Sequence, residues 1–521
     1  MICVSESDYK IIKDIIARYA ANCEVRAFGS RYKWTSNDYS DLDLAFAGDK
    51  KLTLAEIGKI RDAFEESDLP FRVDVLDISA ISKEFQAIIN QGYEVIYSPP
   101  KSIAKGWRKV RLGDVVSTNT STYSEKENWE YVDYLDTGNI TENKISDIQR
   151  LYPDQDKLPS RARRKLKKND IIYSTVRPNQ KHYGLMKEIS PNLLVSTGFT
   201  TITSSQKVDS GFIYYYLTQD DIVTHLQNIA EQSVSAYPSI RPSDIEDLQL
   251  VLPPLPTQRT IATTLSCLDD KIELNNRINA NLEAQAQAIF KSWFVDFEPF
   301  KGGEFVDSEL GKIPKGWMIK KLDEICKIKG GKRLPKGVNL ITEPNTHPYI
   351  RVRDMNNSIF VQNNGTLEYV DDDTQQFISR YIVSGGDIII SIVGTVGLVS
   401  KIHDSLDKAN LTENCVRLTG FDNIFSDYIY LFLTSKEGQD CIKRGTVGAV
   451  QAKLPLKNIQ SIPLIIPPQG IICDFHNFTS ISMQQLANNL SENAILAAIR
   501  DTLLPKLMSG EVSIDKTIGE F

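Results

Sequence analysis

LPPLPTQRTIATTLSCLDDKIELNNRINANLEAQAQAIFKSWF, residues 252 to 294, decides the architecture, because a second version of it returns near the end of the chain as IPPQGIICDFHNFTSISMQQLANNLSENAILAAIRDTLLP, residues 466 to 505. Pro253-Pro254 match Pro467-Pro468, Asn275 matches Asn489, Asn279 matches Asn493 and Leu282 matches Leu496, all at one offset of 214. Ile261, Leu265, Leu268, Ile272, Leu282, Ala286, Ile289 and Trp293 fall on one seam with alternating spacings of four and three, and Asn275 and Asn279 sit in the middle of the same seam. That is a coiled-coil pattern with a polar centre. The diprolines mark the helix starts, since proline is tolerated at a first helical turn and not beyond it. Pro299 marks the end of the first helix, which is predicted over about 256 to 298, with its copy over 467 to 510. Such a helix is a rod of roughly 60 Å at 1.5 Å per residue. Two rods with matching asparagines are expected to pair as an antiparallel coiled coil, each buried Asn giving up stability to hold the register.

Working outward from the rods, the segments before them repeat too. GWRKVRLGDVV from Gly106 returns as GWMIKKLDEIC from Gly316, YVDYLD (131 to 136) as YIRVRD (349 to 354), and NDIIYSTV (169 to 176) as GDIIISIV (386 to 393). The offsets here drift between 210 and 218, so these blocks tolerate insertions and the rods do not. Short β-branched runs bounded by Gly, Pro and Asn predict mixed, strand-rich domains. The reading is therefore α+β and multidomain: an N-terminal α/β domain over 1 to 98, mixed domains over 101 to 255 and 316 to 466, a rod after each, and a linker over 299 to 315.

At 521 residues the chain exceeds what one hydrophobic core sustains. Its 41% hydrophobic and 24% charged residues are those of a globular protein. No apolar run is long enough for a membrane span and no signal-peptide core opens the chain, so a cytoplasmic protein without a membrane partner is expected. The seven cysteines contain no CxxC pair, and neither disulfides nor a Cys/His metal site is expected. The net charge of −7 alone would argue against nucleic-acid binding. Residues 1 to 100, however, hold 12 Lys plus Arg against 17 Asp plus Glu, which leaves the remainder close to neutral. Basic clusters stand out within that remainder: RARRKLKK at 161 to 168 and KGGKRLPK at 329 to 336.

Two variable domains, each opening with Gly-Trp followed by LGDV or LDEI, alternating with two constant helices, resemble the specificity subunits of type I restriction-modification enzymes. IPKGW at 313 to 317 is a further segment of that family. The resemblance covers residues 101 to 512 and implies that each variable domain is a target-recognition domain reading one half of a split double-stranded DNA target. It implies that the rods set the distance between halves and dock modification subunits, two of them, and that restriction subunits join the complex. The partners would use S-adenosylmethionine and ATP, while the specificity region itself takes no cofactor. Base reading needs Arg, Lys, Asn or Gln on loops that reach groove edges. Candidates are Arg177, Asn179, Gln180, Lys181, His182 and Tyr183 after a predicted strand of the first domain, and Lys332, Arg333, Lys336, Arg351, Arg353 and Arg444 in the second. No methyltransferase motif and no GxxxxGK[ST] motor loop is present, and PDQDK at 153 to 157 crowds its residues too tightly for a nuclease site.

Residues 25 to 46, VRAFGSRYKWTSNDYSDLDLAF, carry a different chemistry. An apolar strand leads to Gly29-Ser30, and after ten intervening residues come Asp41 and Asp43. Residues two apart in a strand share a face, so these carboxylates can meet the metal ions of a nucleoside triphosphate. Gly29, Ser30 and Arg31 are the candidate nucleotide-binding residues. Asp74 in FRVDVLDI is the third metal-site carboxylate and the candidate catalytic residue that activates an attacking hydroxyl, with Asp77 on the opposite face. This pattern, with QGYEVIY at 91 to 97, resembles the minimal nucleotidyltransferases of the polymerase β superfamily, which implies Mg2+ and a nucleoside triphosphate as cofactors. Two functions follow. The first is a DNA-specificity subunit with an accessory nucleotidyltransferase-like domain; the alternative is primarily a nucleotidyltransferase, moving AMP or another NMP to a protein or RNA, whose repeat region only binds its target.

Overall fold

The computed structural model describes residues 2–33, 35–36, 40–48, 50–99, 104–233, 237–356, 358–363, 365–448 and 451–514. The chain forms two compact units. One comprises residues 1–110 with 251–254 and 509–513, and the other the remainder. Among the described residues no helix is long and apolar enough to cross a membrane.

The smaller unit is built on α1 (Glu6–Tyr19), β1 (Glu24–Phe28), the one-turn α2 (Gly29–Tyr32), β2 (Leu42–Ala47), α3 (Leu54–Glu65), β3 (Val73–Asp77), α4 (Lys83–Asn90) and β4 (Glu94–Tyr97). Its sheet has the order β3-β2-β1-β4, with β2 and β3 parallel and the other pairs antiparallel. Alternation sends Leu42, Leu44 and Phe46 into a core with Ile12, Ile16, Ile60 and Phe64. It leaves Asp43 on the opposite face. Helix α3 is opened by a capping box in which Thr53 and Glu56 satisfy each other's backbone N–H groups.

In the larger unit the duplication seen in sequence reappears as duplicated pairing. The first repeat pairs Val132–Leu135 with Leu193–Ser196 in parallel, and the second pairs Pro348–Ile350 with Asn410–Leu411 in parallel. Each repeat also contains an antiparallel hairpin, Ile171–Ser174 with Tyr183–Leu185 and Ile388–Ser391 with Val399–Ile402. Aromatic helices Ser210–Leu217 and Ser426–Thr434 follow at corresponding places. The segment expected as a linker contains a hairpin, Phe305–Ser308 with Gly311–Pro314.

The two long helices run over Leu255–Phe294 and Gln469–Met508, 40 residues each. The first stops short of residue 298 because Phe297 takes a left-handed backbone, φ 51°, just before Pro299 enters a 3-10 turn. The asparagines meet between the helices: Asn275 Nδ2 donates to Asn493 Oδ1 at 2.9 Å, and Asn489 Nδ2 donates to Asn279 Oδ1 at 2.8 Å. The lower number of one helix meets the higher of the other, so the helices run antiparallel. Asn493 Nδ2 also donates to Asn276 at 3.0 Å, and Lys271 and Arg500 form ion pairs with Glu492 and Asp269 on opposite helices, at 3.2 and 2.7 Å. Past Ala286 the buried face departs from the seam. Phe290 and Phe294 are buried while Ile289 and Trp293 are half-buried, because this end also packs into the second repeat, with Phe294 4.8 Å from both Tyr428 and Phe475.

Candidate nucleotide site and nucleic-acid interface

In the smaller unit, β1 ends at Phe28, whose register partner on β2 is Asp43. Asp43 in turn faces Asp74 on the parallel strand β3. Two carboxylates thus stand side by side on the exposed face of the sheet, with Asp41 exposed just before β2. Burial, then the neighbouring Asp74 and Asp41 charges, push the Asp43 carboxyl above its ordinary range. Gly29 has φ +77°, and a Cβ there would lie 2.0 Å from Asp43 Oδ2. The left-handed conformation favours glycine, and any Cβ there would displace the Asp43 carboxylate.

Among the described residues no group of three Asp, Glu, His or Cys side chains converges as a metal site. The Asp43–Asp74 pair nonetheless suits magnesium, which commonly takes one or two protein carboxylates and completes its shell with phosphate oxygens and water. Ser30 is half-buried in the one-turn α2. Arg31 is placed otherwise than a phosphate ligand needs. Its guanidinium is buried, donates to the carbonyls of Ser40 and Cys3 at 2.9 Å each, and lies 3.8 Å from the Phe71 ring centroid. It braces the loop that leads to Asp41. Asp77 is likewise structural, accepting hydrogen bonds from the backbone of Leu52 and Ser79. Of the ten residues between Ser30 and Asp41, residues 34 and 37–39 lie outside the described ones.

In the first repeat, Arg177 and Asn179 are exposed on the loop after Ile171–Ser174. That loop is clamped: Val176 forms a β-bridge with Ser239, and the Arg177 N–H donates to Pro238 O at 3.0 Å. Gln180, also exposed, closes a 3-10 turn over Pro178–Gln180. Lys181 is tied to Asp220 at 3.1 Å and Glu142 at 3.3 Å. Burial lowers its pKa, but these partners outweigh burial and leave it raised. His182 Nδ1 lies 2.6 Å from Ile140 O. Tyr183 faces inward, contrary to its expected place at a groove edge. It is buried and stacked on Tyr173 at 5.5 Å, because the returning strand points alternate residues into the core.

Two features were not anticipated. Tyr237, 61% exposed, lies under the Arg177 guanidinium at 5.5 Å. Beside the same loop, Thr175 N donates to Gly198 O and Thr197 N to Arg161 O, both at 2.8 Å. Arg161 there joins Tyr134, Asp136, Asn139, Gln149 and Ser160 around a cavity of about 420 Å³. Burial raises the Asp136 pKa, yet hydrogen bonds from Thr137, Ser196 and Tyr134 and the Arg161 charge bring it below the usual carboxylate range. Tyr237 stood outside any periodic segment, and only its exposure marks it.

In the second repeat, Lys332 and Arg333 leave the strand Lys327–Gly330. Lys332 N donates to Leu411 O at 2.8 Å and its ammonium sits 5.4 Å from the Tyr381 ring, while Arg333 pairs with Glu413 at 2.7 Å. Arg351 pairs with Glu368, and Arg353 approaches the same carboxylate at 3.4 Å. Thr412 N donates to Ile350 O at 3.0 Å, which brings the end of the strand before Arg351 beside the Glu413 partner of Arg333. Lys336 is exposed. Arg444 lies apart from that group's contacts, in the last turn of Lys436–Gly445, against Cys441 Sγ at 3.3 Å. The clamp of the first repeat is built again, with Val393 bridging to Lys453.

Comparison with known proteins agrees with both halves of this description. The type I restriction modification DNA specificity domain matches residues 104–284 and again 314–490, and the polymerase beta nucleotidyltransferase family matches residues 10–102. The specificity subunit of the type I restriction enzyme HindI from Haemophilus influenzae is 27% identical over 466 residues, 78% of this chain and 99% of that one. A protein named MntA from the same organism, described as a probable protein adenylyltransferase, is 38% identical over 102 residues, 20% of this chain and 90% of that one. The crystal structure of a type I restriction-modification S subunit from M. genitalium is 18% identical, with a TM-score of 0.47, over 79% of this chain and 98% of that one. The chain belongs to the type I restriction-modification DNA specificity family, and its N-terminal segment to the polymerase β nucleotidyltransferases.

Proposed function

We propose that the repeat region reads a bipartite, asymmetric double-stranded DNA target, one half per repeat, and acts in the cytoplasm within a complex of two modification subunits and associated restriction subunits. One observation carries this reading: the clamped loop is built twice, by Val176 with Ser239 and by Val393 with Lys453, but is furnished with different side chains. Two unequal readers on a rigid spacer require two unequal half-sites at a constant separation. The helix pair supplies the spacer. Exposed Leu274 and Ile278 on the first helix and Phe478, Ile481, Ile495 and Ile499 on the second give the helix pair apolar surface on which modification subunits could dock. Methyl transfer and translocation belong to the partners, using S-adenosylmethionine and ATP.

The N-terminal domain on this reading is a magnesium-dependent nucleotidyltransferase. Asp43 and Asp74 would hold the metal-bound triphosphate, with the Asp41 charge beside them and the Gly29-Ser30 turn against its phosphates. Bound magnesium supplies charge neutralisation at the phosphates. Asp74 takes the proton of an acceptor hydroxyl as its oxygen attacks the α-phosphorus and pyrophosphate leaves. Arg31 positions the loop rather than the nucleotide.

The modular part is tested by exchange. Replacing residues 316–466 with the matching block of a related subunit should change one half of the methylated sequence and leave the other as it was, read by sequencing methylated DNA. A change in both halves would contradict one reader per repeat.

A further inference from the structure

The two reading loops differ in a way that singles out one side chain. Aligning the repeats on their hairpins, Ile171 corresponds to Ile388, and its partner Leu185 to Lys401. The shift is 217 on the outgoing strand and 216 on the returning one, so Arg177 stands where Gly394 stands, and Lys181 where Gly397 stands. All four have left-handed backbones: Arg177 at φ 49°, Lys181 at 55°, Gly394 at 81° and Gly397 at 92°. The loop geometry demands that conformation at both places. The second repeat meets the demand with glycine, at no steric cost, whereas the first keeps a cationic side chain and bears the strain.

Lys181 has a local reason to be there, since its ammonium ties the loop to Asp220 and Glu142. Arg177 does not share it. Its guanidinium is exposed and rests over the exposed Tyr237 ring, which the Val176–Ser239 bridge and the Arg177–Pro238 hydrogen bond hold at that spot. A guanidinium held over an aromatic ring on a clamped loop can offer its planar fork to the bidentate edge of guanine, its O6 and N7 in the major groove. We propose that Arg177, positioned by Tyr237, is the specificity-determining residue that reads a guanine in the half-site recognised by the first repeat. This rests on the DNA-reading assignment made above.

The strain argument supplies a variant that spares the fold. Arg177→Gly places in the first repeat what the second already uses, so the thermal midpoint of the full chain should not fall. In complex with its modification partner, the variant should lose roughly tenfold or more of its discrimination at one guanine position of one half-site, measured by competition between oligonucleotides differing at that base pair. Tyr237→Phe should keep that discrimination, because the ring remains, and Tyr237→Ala should weaken it. Wild-type discrimination at every position in Arg177→Gly would overturn the proposal while leaving bipartite recognition standing. Weakening uniform over all sequences, with the salt slope reduced by about one, would also overturn it, by making Arg177 a phosphate contact. If the wild-type chain itself shows no sequence preference, the DNA-reading assignment falls and this proposal with it.

Discussion

Replacing Asp41 and Asp43 together by Asn should weaken magnesium-dependent nucleotide binding severely while DNA methylation directed by the same chain persists. Gly29 brings the turn against the Asp43 carboxylate, and Asp43 faces Asp74 across parallel strands. The double variant removes one carboxylate of the pair proposed to hold the metal and the negative charge of Asp41 beside it. A carboxylate beside a cation contributes about 4 kcal/mol at an effective dielectric of 20. Even a quarter of that for each, allowing for solvent screening, predicts a loss of affinity of roughly 30-fold or more. Titration calorimetry of magnesium-ATP into the full chain is the measurement; unchanged binding would remove the metal-site assignment.

Stability should move the other way. A carboxyl whose pKa is raised in the folded protein holds its proton there at pH values where the unfolded chain has released it. Folding stability therefore falls as pH rises from the ordinary aspartate range through the raised pKa of Asp43. Replacing Asp43 by Asn removes that penalty, and the unliganded variant should unfold at no lower a temperature near neutral pH. Such a trade of stability for function is common where like charges are gathered for a ligand.

The second large effect concerns the helix pair. Inserting four residues directly after Asn275 advances the rest of the helix by about 6 Å and rotates it by about 40°. The Asn275–Asn493 and Asn279–Asn489 pairs can then no longer form together. A buried amide left without its partner costs about 1–3 kcal/mol, so the pair either re-registers or separates. The expected result is a methylated target whose spacer is longer, by about two base pairs, or no methylation at all, with both half-site sequences unchanged. A changed base preference in either half would contradict the role of the helices as a spacer.

Much of this is legible in the sequence alone, and the exceptions have physical causes. The asparagine seam was readable because a constant offset with no insertions leaves two helices one register, and polar residues on an apolar stripe need each other. Beyond Ala286 the seam misled, since Phe290 and Phe294 answer to a globular core as well as to the partner helix. Gly29, Asp43 and Asp74 were placed by spacing and strand parity. Arg31 was not, because its commitment to the carbonyls of Ser40 and Cys3 depends on chain segments distant in sequence. Tyr183 was assigned to a surface that the alternation of the returning strand turns inward. The left-handed backbone of Arg177 is signalled only by Gly394 at the matching place of the other repeat, and the Tyr237 beneath it has no sequence signal, because it is brought there by a bridge between residues 63 positions apart, Val176 and Ser239.

The central claim, that two unequal readers on one spacer direct modification of a split target, is tested most directly by sequencing methylated DNA from cells with and without this gene. The prediction is adenine methylation that depends on the chain and lies at one asymmetric site of two specific halves separated by a constant number of unspecified base pairs. Methylation at a continuous or perfectly palindromic site, or a methylome indifferent to the gene, would contradict it.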